Sequence, residues 1–486
     1  MFQRSFQGRP PDRKVALREE ALNLCERNLA DSEIGLWPFP SVQPSVGGAI
    51  GVVPHVQFAM FGQIDELRAL LDETPELIDQ PNDRGLTCLM AAAHGGYAAV
   101  VAVLLERGAD VARRDARGVS ALDYAVREHR QEALLTLLKH SESRSLQLVN
   151  AVDPEGNTLL MVAAERGHKD LLPILLEAKA DPNMATSVNT PHHLTTRGGV
   201  TALMIAAHHG YEQIAHVLLE AGAIVDTQLP DRPDIQLPDG RTALMIAAKL
   251  GRERCAHVLL KAKADPNKAT SDGVTALMLA AQHGHEPCIR DLLEAGAVVN
   301  APNFAAVTAL ILAAEKGHEP CVHVLLEAKA DPNKAKSDGA TALILAAESG
   351  RPCVRVLLEA KANPNKARSD GWTALMIAAQ DGHEPCVHVL LESKADPNQM
   401  NCAGRTASMI ASERGHERCS RVLLEAYFNP YQAKGGGGGR AGGKGGGTVR
   451  STRCVAPICT FFARNGQCRY GDRCRFIHDR GGAASG

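Results

Sequence analysis

Between Ser271 and Asn303 the chain reads SDGVTALMLAAQHGHEPCIRDLLEAGAVVNAPN, and its small or apolar positions fall in two clusters. Ala276, Leu277, Leu279, Ala280 and Ala281 form the first; Cys288, Ile289, Leu292 and Leu293 form the second. Both have the three-and-four spacing of one helix face, so two short helices are predicted. Turn-forming Asp272-Gly273 precedes the first helix, and Thr275 stands where a side-chain oxygen caps it. Gly284 is placed to end it, because glycine accepts the left-handed conformation of a helix stop. Pro287 suits the first turn of the second helix, where a missing N–H leaves no bond unmade, and Gly296 closes that helix.

The pattern returns along most of the chain. Its opening Thr, once Ser, recurs at Thr87, Ser120, Thr158, Thr201, Thr242, Thr275, Thr308, Thr341, Thr373 and Thr406. The intervals are 33, 38, 43, 41, 33, 33, 33, 32 and 33 residues. A period near 33 marks a stack of units, none able to bury its apolar face alone. Period, two-helix pattern and Gly positions resemble the ankyrin repeat over about three quarters of the chain. The resemblance implies an all-α solenoid of helix-turn-helix units that holds a protein partner. Two departures stand out. Helix one opens Thr-Ala-Leu-Met or Thr-Ala-Leu-Ile where the family has Thr-Pro-Leu-His, so the His that hydrogen-bonds between repeats is missing. The Gly after helix two is kept at Gly108, Gly222 and Gly296 but becomes Lys179, Lys263, Lys329, Lys361 and Lys394, at a modest expected strain.

Ten clear repeats end near Phe428, and QFAMFGQIDELRALLD, within Pro54–Asn82, keeps the pattern in degenerate form. The array is therefore expected over residues 54–428, with about eleven repeats. The long intervals place insertions of five residues before Asp153, ten within 184–199 and eight within 226–239, in loops on one side of the stack. His192-His193 has no third ligand nearby and reads as a solvated pair. Residues 1–53 stand apart: Asp12 to Leu29 is patterned as one amphipathic helix, and Trp37-Pro-Phe-Pro breaks it. Ser408 and Ser412 replace the usual Leu and Ala of the last repeat, giving the wetter face of a terminal cap.

Aromatics are only 4% of the chain, as expected where helices pack through Ala and Leu. No apolar run approaches the ~20 residues that span a bilayer, and the start lacks the apolar core of a secretion signal. Thirteen cysteines then read as intracellular thiols and metal ligands, in cytoplasm or nucleus. Cys255, Cys288, Cys321, Cys353, Cys386 and Cys419 recur with the repeat and are expected as small buried hydrophobes. No nucleophile elbow, phosphate loop or HExxH is present, so neither catalysis nor a small-molecule substrate is expected. Trp372 precedes a helix-opening Thr where other copies carry Leu86, Val200, Arg241, Val274, Val307, Ala340 and Arg405. A position so variable is expected at the surface, which makes Trp372 a candidate partner contact.

Charge is uneven. From Lys434 onward there are ten Lys/Arg and two Asp, a net +8, so the preceding residues carry −10 of the total −2. Any nucleic acid is expected at this basic end. The Gly-rich stretch over 429–450 predicts a flexible tether. Beyond it, within 453–481, Cys459, Cys468, Cys474 and His478 are spaced C-x8-C-x5-C-x3-H. Three thiolates and one imidazole make a closed tetrahedral zinc set, and so small a segment folds only with its metal. The motif resembles the CCCH zinc finger of RNA-binding proteins, which implies single-stranded RNA as a partner. Carried over by motif position, Tyr470 and Phe476 stack on bases, Phe462 is a core or rim aromatic, and Arg469 and Arg475 meet the backbone. The whole then reads as an adaptor. The rival reading is a protein-binding scaffold whose finger is structural or docks protein.

Overall fold

The computed structural model describes residues 53–140, 145–186, 199–228 and 240–428. Among the described residues it is all α-helix and turns, with no strand beyond isolated bridges such as Ala269 with Thr275. Helix pairs follow one another along the chain and stack on their neighbours, the solenoid arrangement that the repeats imply. The helix predicted within 12–29, the His192-His193 pair, the Gly-rich stretch and the zinc motif lie outside the described residues.

Each repeat supplies two antiparallel helices and a finger-like turn. In the repeat that opens at Thr275, Ala276–His283 is followed by Glu286–Glu294. The Thr275 hydroxyl accepts the Met278 N–H, the predicted cap. Gly284 stops the first helix at φ 79°. The same cap recurs at Thr87, Thr158, Thr201, Thr308, Thr341, Thr373 and Thr406. Ser120 goes further and forms a reciprocal capping box with Asp123. The degenerate first unit also holds two helices, Pro54–Met60 and Ile64–Glu73. In the insertion before Asp153 a short extra helix, Ser145–Val149, has formed.

The described residues fall into two compact units. The first runs to Ala247 and takes in Arg252–Asp265; the second takes Ala248–Gly251 and the chain from Pro266 onward. Within each, first helices stack on first helices and second helices on second helices. The first helices are buried over most of their surface, which explains why Ala, Leu, Met and Ile dominate their composition. Cys255, Cys288, Cys321, Cys353, Cys386 and Cys419 are buried in the second helices, as their spacing predicts. Burial pushes the thiols of Cys255 and Cys321 up to about 11 and raises those of Cys353, Cys386 and Cys419, so they persist as thiols.

Candidate binding surface

Polar links between neighbouring repeats set how rigidly any surface is displayed. The missing family His is replaced by two other devices. One is a wedge at the start of each second helix. In the second unit His285, His318, His383 and His416 donate from Nε2 to the carbonyls of Lys249, Gln282, Glu348 and Gln380 at 2.9–3.1 Å. A carbonyl only accepts, so the Nε2–H tautomer is fixed by the bond. In the first unit Arg130 and Arg252 do the same toward His94 and His208 at 3.0 and 3.1 Å.

The other device is an asparagine bridge. Asn300 donates from Nδ2 to the Lys329 carbonyl at 3.2 Å and accepts the Asp331 N–H on Oδ1 at 2.8 Å. Asn333 does likewise with Lys361 and Asn363, and Asn365 with Lys394 and Asp396. Asn150 and Asn183 make the same pair of bonds in the first unit. Their target carbonyls belong to the residues that end second helices. Lys329, Lys361 and Lys394 adopt φ of 63–67° there, the strained conformation expected of them.

On this frame the fingers form a row. Successive tips in the second unit are joined by single main-chain bonds: Phe304 N–H to Asp272 O at 3.1 Å, Ser337 to Ala305 at 3.2 Å, Ser369 to Asp338 at 2.9 Å and Cys402 to Asp370 at 3.1 Å. Turn side chains brace each tip; the Asn303 carboxamide oxygen accepts the N–H groups of both Ala305 and Val307. Aligned tip residues are Ser271, Phe304, Ser337, Ser369 and Cys402. Phe304 is 83% exposed, more than any other large apolar side chain among the described residues.

Trp372 is half-buried. Its carbonyl accepts the Arg368 N–H at 2.9 Å and its own N–H donates to Asp370 Oδ1 at 3.3 Å, which pins it at the base of its finger. At the aligned position Leu86, Val200, Val307 and Ala340 are buried, and only Arg405 is exposed. Variability there reflects different ways of packing beneath a finger as well as surface exposure. The proposed zinc ligands Cys459, Cys468, Cys474 and His478, and Phe462, Tyr470, Phe476, Arg469 and Arg475, lie outside the described residues. Phe304 was missed by reading the sequence, although a signal was there: NFAA replaces the Ser-Asp-Gly of the neighbouring tips.

The first unit carries a different polar arrangement. Buried Asp115 accepts the N–H groups of Arg117 and Val119 and the Tyr124 hydroxyl, at 2.8–2.9 Å. Burial and this carboxylate push the Tyr124 hydroxyl up to about 12. Arg127 donates to buried Asp153 at 2.7 Å. The Asp115 bonds close the turn of one repeat onto its own first helix, and Arg127–Asp153 ties that repeat to the next. Among the described residues no helix is long and apolar enough to cross a membrane.

Comparison with known proteins follows the same division. The family model described as ankyrin repeats (3 copies) matches residues 56–147, 142–229, 224–303, 302–368 and 361–433. The model for the zinc finger C-x8-C-x5-C-x3-H type (and similar) matches residues 456–480. A putative ankyrin repeat-containing protein of Treponema pallidum (strain Nichols) is 34% identical over 109 residues, 22% of this chain and 35% of its own length. Protein fem-1 homolog A-like of Mus musculus is 29% identical over 123 residues, 25% of this chain and 18% of its own. The chain thus spans about a third or less of these relatives.

Proposed function

The chain belongs to the ankyrin-repeat family, and from that premise we propose that it is an adaptor, without a catalytic step of its own. The array over 54–428 holds a protein partner; residues 453–481 bind one zinc ion and contact single-stranded RNA, with 429–450 as tether. The observation that carries the reading is the union, in one chain, of a braced row of fingers with varied tips and a C-x8-C-x5-C-x3-H segment. Three thiolates and an imidazole suit zinc and complete a tetrahedral set, so Cys459, Cys468, Cys474 and His478 are its ligands and Cys454 is spare. Tyr470 and Phe476 each follow a ligand by two residues, beside Arg469 and Arg475, an arrangement suited to base stacking with phosphates on either side. Trp372 contributes part of its ring to the partner face. The presence of one finger, rather than several, favours weak RNA binding and keeps the protein-only scaffold as the rival.

Titrating the full chain, loaded with zinc, with short single-stranded RNAs tests this. Binding on the order of micromolar that weakens with salt is expected. Cys468→Ser loses zinc and RNA together. Tyr470→Ala or Phe476→Ala keeps zinc and weakens RNA roughly ten-fold or more. Absence of binding at low salt, or unchanged affinity in both aromatic variants, leaves the scaffold reading in its place. The array is expected in the cytoplasm or nucleus, and imaging of the tagged chain checks that.

A further inference from the structure

We propose that Phe304 is the anchor by which the array engages its partner: a rigid aromatic knob that enters an apolar pocket on a folded protein, with carboxylates on the pocket wall that faces the next finger. The inference rests on the adaptor reading and names the kind of surface the partner must present.

The molecule contains its own controls. Five aligned fingertips in the second unit share one backbone and one set of main-chain bonds, and four carry Ser or Cys at the tip. Only at residue 304 does a large ring stand in water, 83% exposed. The surrounding sequence departs with it. From Ala295 to Val307 there is no charged residue, whereas the next finger holds Lys329, Asp331, Lys334, Lys336 and Asp338. Val298, in the approach to this tip, is 56% exposed where aligned copies carry Asp331 and Asp396. Ala306 holds φ 59° at the position where neighbouring tips have Gly273, Gly339 and Gly371. At this finger the tip Ser, the tip Asp, the turn Gly and the Asp of the approach are all replaced by apolar residues, while Asn300 and Asn303 are kept.

An exposed ring on a mobile loop would lose much of its binding energy to ordering; this one is braced beforehand. Asn303 closes the turn beneath it, and main-chain bonds tie it to Asp272 on one side and, through Ala305, to Ser337 on the other. Pre-organised aromatics are the residues that dominate protein interfaces, by filling pockets that exclude water. The flanks give the pocket its polarity. Asn300 bridges to Lys329 and Asp331, so the neighbouring finger runs alongside this one. Its Lys329 and Lys334 are exposed and in no ion pair with any described residue, while Lys336 is engaged by Asp338. A pocket wall bearing carboxylates complements those two cations.

The test uses the full chain with p-benzoyl-phenylalanine in place of Phe304 and, separately, of Ser369, irradiated in cells, with the crosslinked residues identified by mass spectrometry. Crosslinks from position 304 to residues lining an apolar pocket of one protein are expected. That protein, purified, then binds Phe304→Ser roughly thirty-fold more weakly than the parent, Phe304→Leu within a few-fold, and Lys334→Glu several-fold more weakly at low salt. All three variants keep the parent's melting temperature. Crosslinks from 304 only to a second copy or to RNA, or parental affinity in Phe304→Ser, overturn the knob. A protein crosslinked from 369 but not from 304 sinks the knob and leaves the adaptor standing; no protein crosslinked from either position sinks both.

Discussion

Two helix stops, one in each unit, solve the same problem with different residues. At Gly284 the left-handed turn carries no side chain, and the His318 ring occupies the space; a Cβ there would lie 2.7 Å from its Nδ1. His318 consequently reaches the Gln282 carbonyl at 3.1 Å. In the repeat of the first unit that opens at Ser120 the stop is His129, at φ 55°, and it carries a side chain where Gly284 has none. The next wedge, His168, is pushed outward to stack on it, with ring centroids 4.4 Å apart, and reaches the Arg127 carbonyl only at 3.4 Å. Glycine in these repeats therefore does two jobs: it accepts the backbone conformation and it makes room for the neighbour. A side chain that manages the first still weakens the second.

The comparison can be broken most sharply at Gly284. Gly284→Ala adds left-handed strain of about 1–2 kcal/mol and displaces the His318 bond, worth about 1 kcal/mol. A loss of about 2–3 kcal/mol is expected in urea unfolding; a loss below 1 would show that the site relaxes freely. Next in size is the wedge alone. His318→Ala keeps the turn and removes the bond and ring contact, at about 1 kcal/mol, and faster amide exchange at Gly284 and its neighbours would report it. Strain without a wedge is isolated at the other helix end. Lys329→Gly leaves the carbonyl that Asn300 uses and should stabilise by about 0.5–1 kcal/mol, read as a higher unfolding midpoint.

The smallest effect is on pH. Burial lowers the pKa of both His94 and His168 in the first unit. Above the unfolded value of about 6.5 both states are neutral and these groups add no pH dependence. As the pH falls through it, the unfolded chain binds protons that the folded imidazoles resist, so stability declines toward pH 5. A double variant with His94→Gln and His168→Gln should flatten the dependence of melting temperature on pH between 7.5 and 5. An unchanged slope would place the titration elsewhere.

Much of this was legible in the sequence because it is local. Thr275 and its counterparts cap helices, Gly284 and Gly296 end them, and Cys288 lies on a buried face, all set by residues within one turn. The proposed zinc ligands Cys459, Cys468, Cys474 and His478 are likewise read from spacing and ligand type, and they lie outside the described residues. What stacking decided is different in kind. Asn300 bonds residues 29 and 31 positions away, and His318 a carbonyl 36 positions away. Those atoms meet only once repeats are packed at a fixed offset, and no property of an isolated Asn or His foretells it. The same holds for the two aromatics. Trp372 lies two residues before the helix Ala374–Asp381 and Phe304 five before Ala309–Lys316, yet only packing leaves one half-buried and the other in water. Chemistry confined to one turn is written in sequence; contacts made between turns exist only in the folded stack.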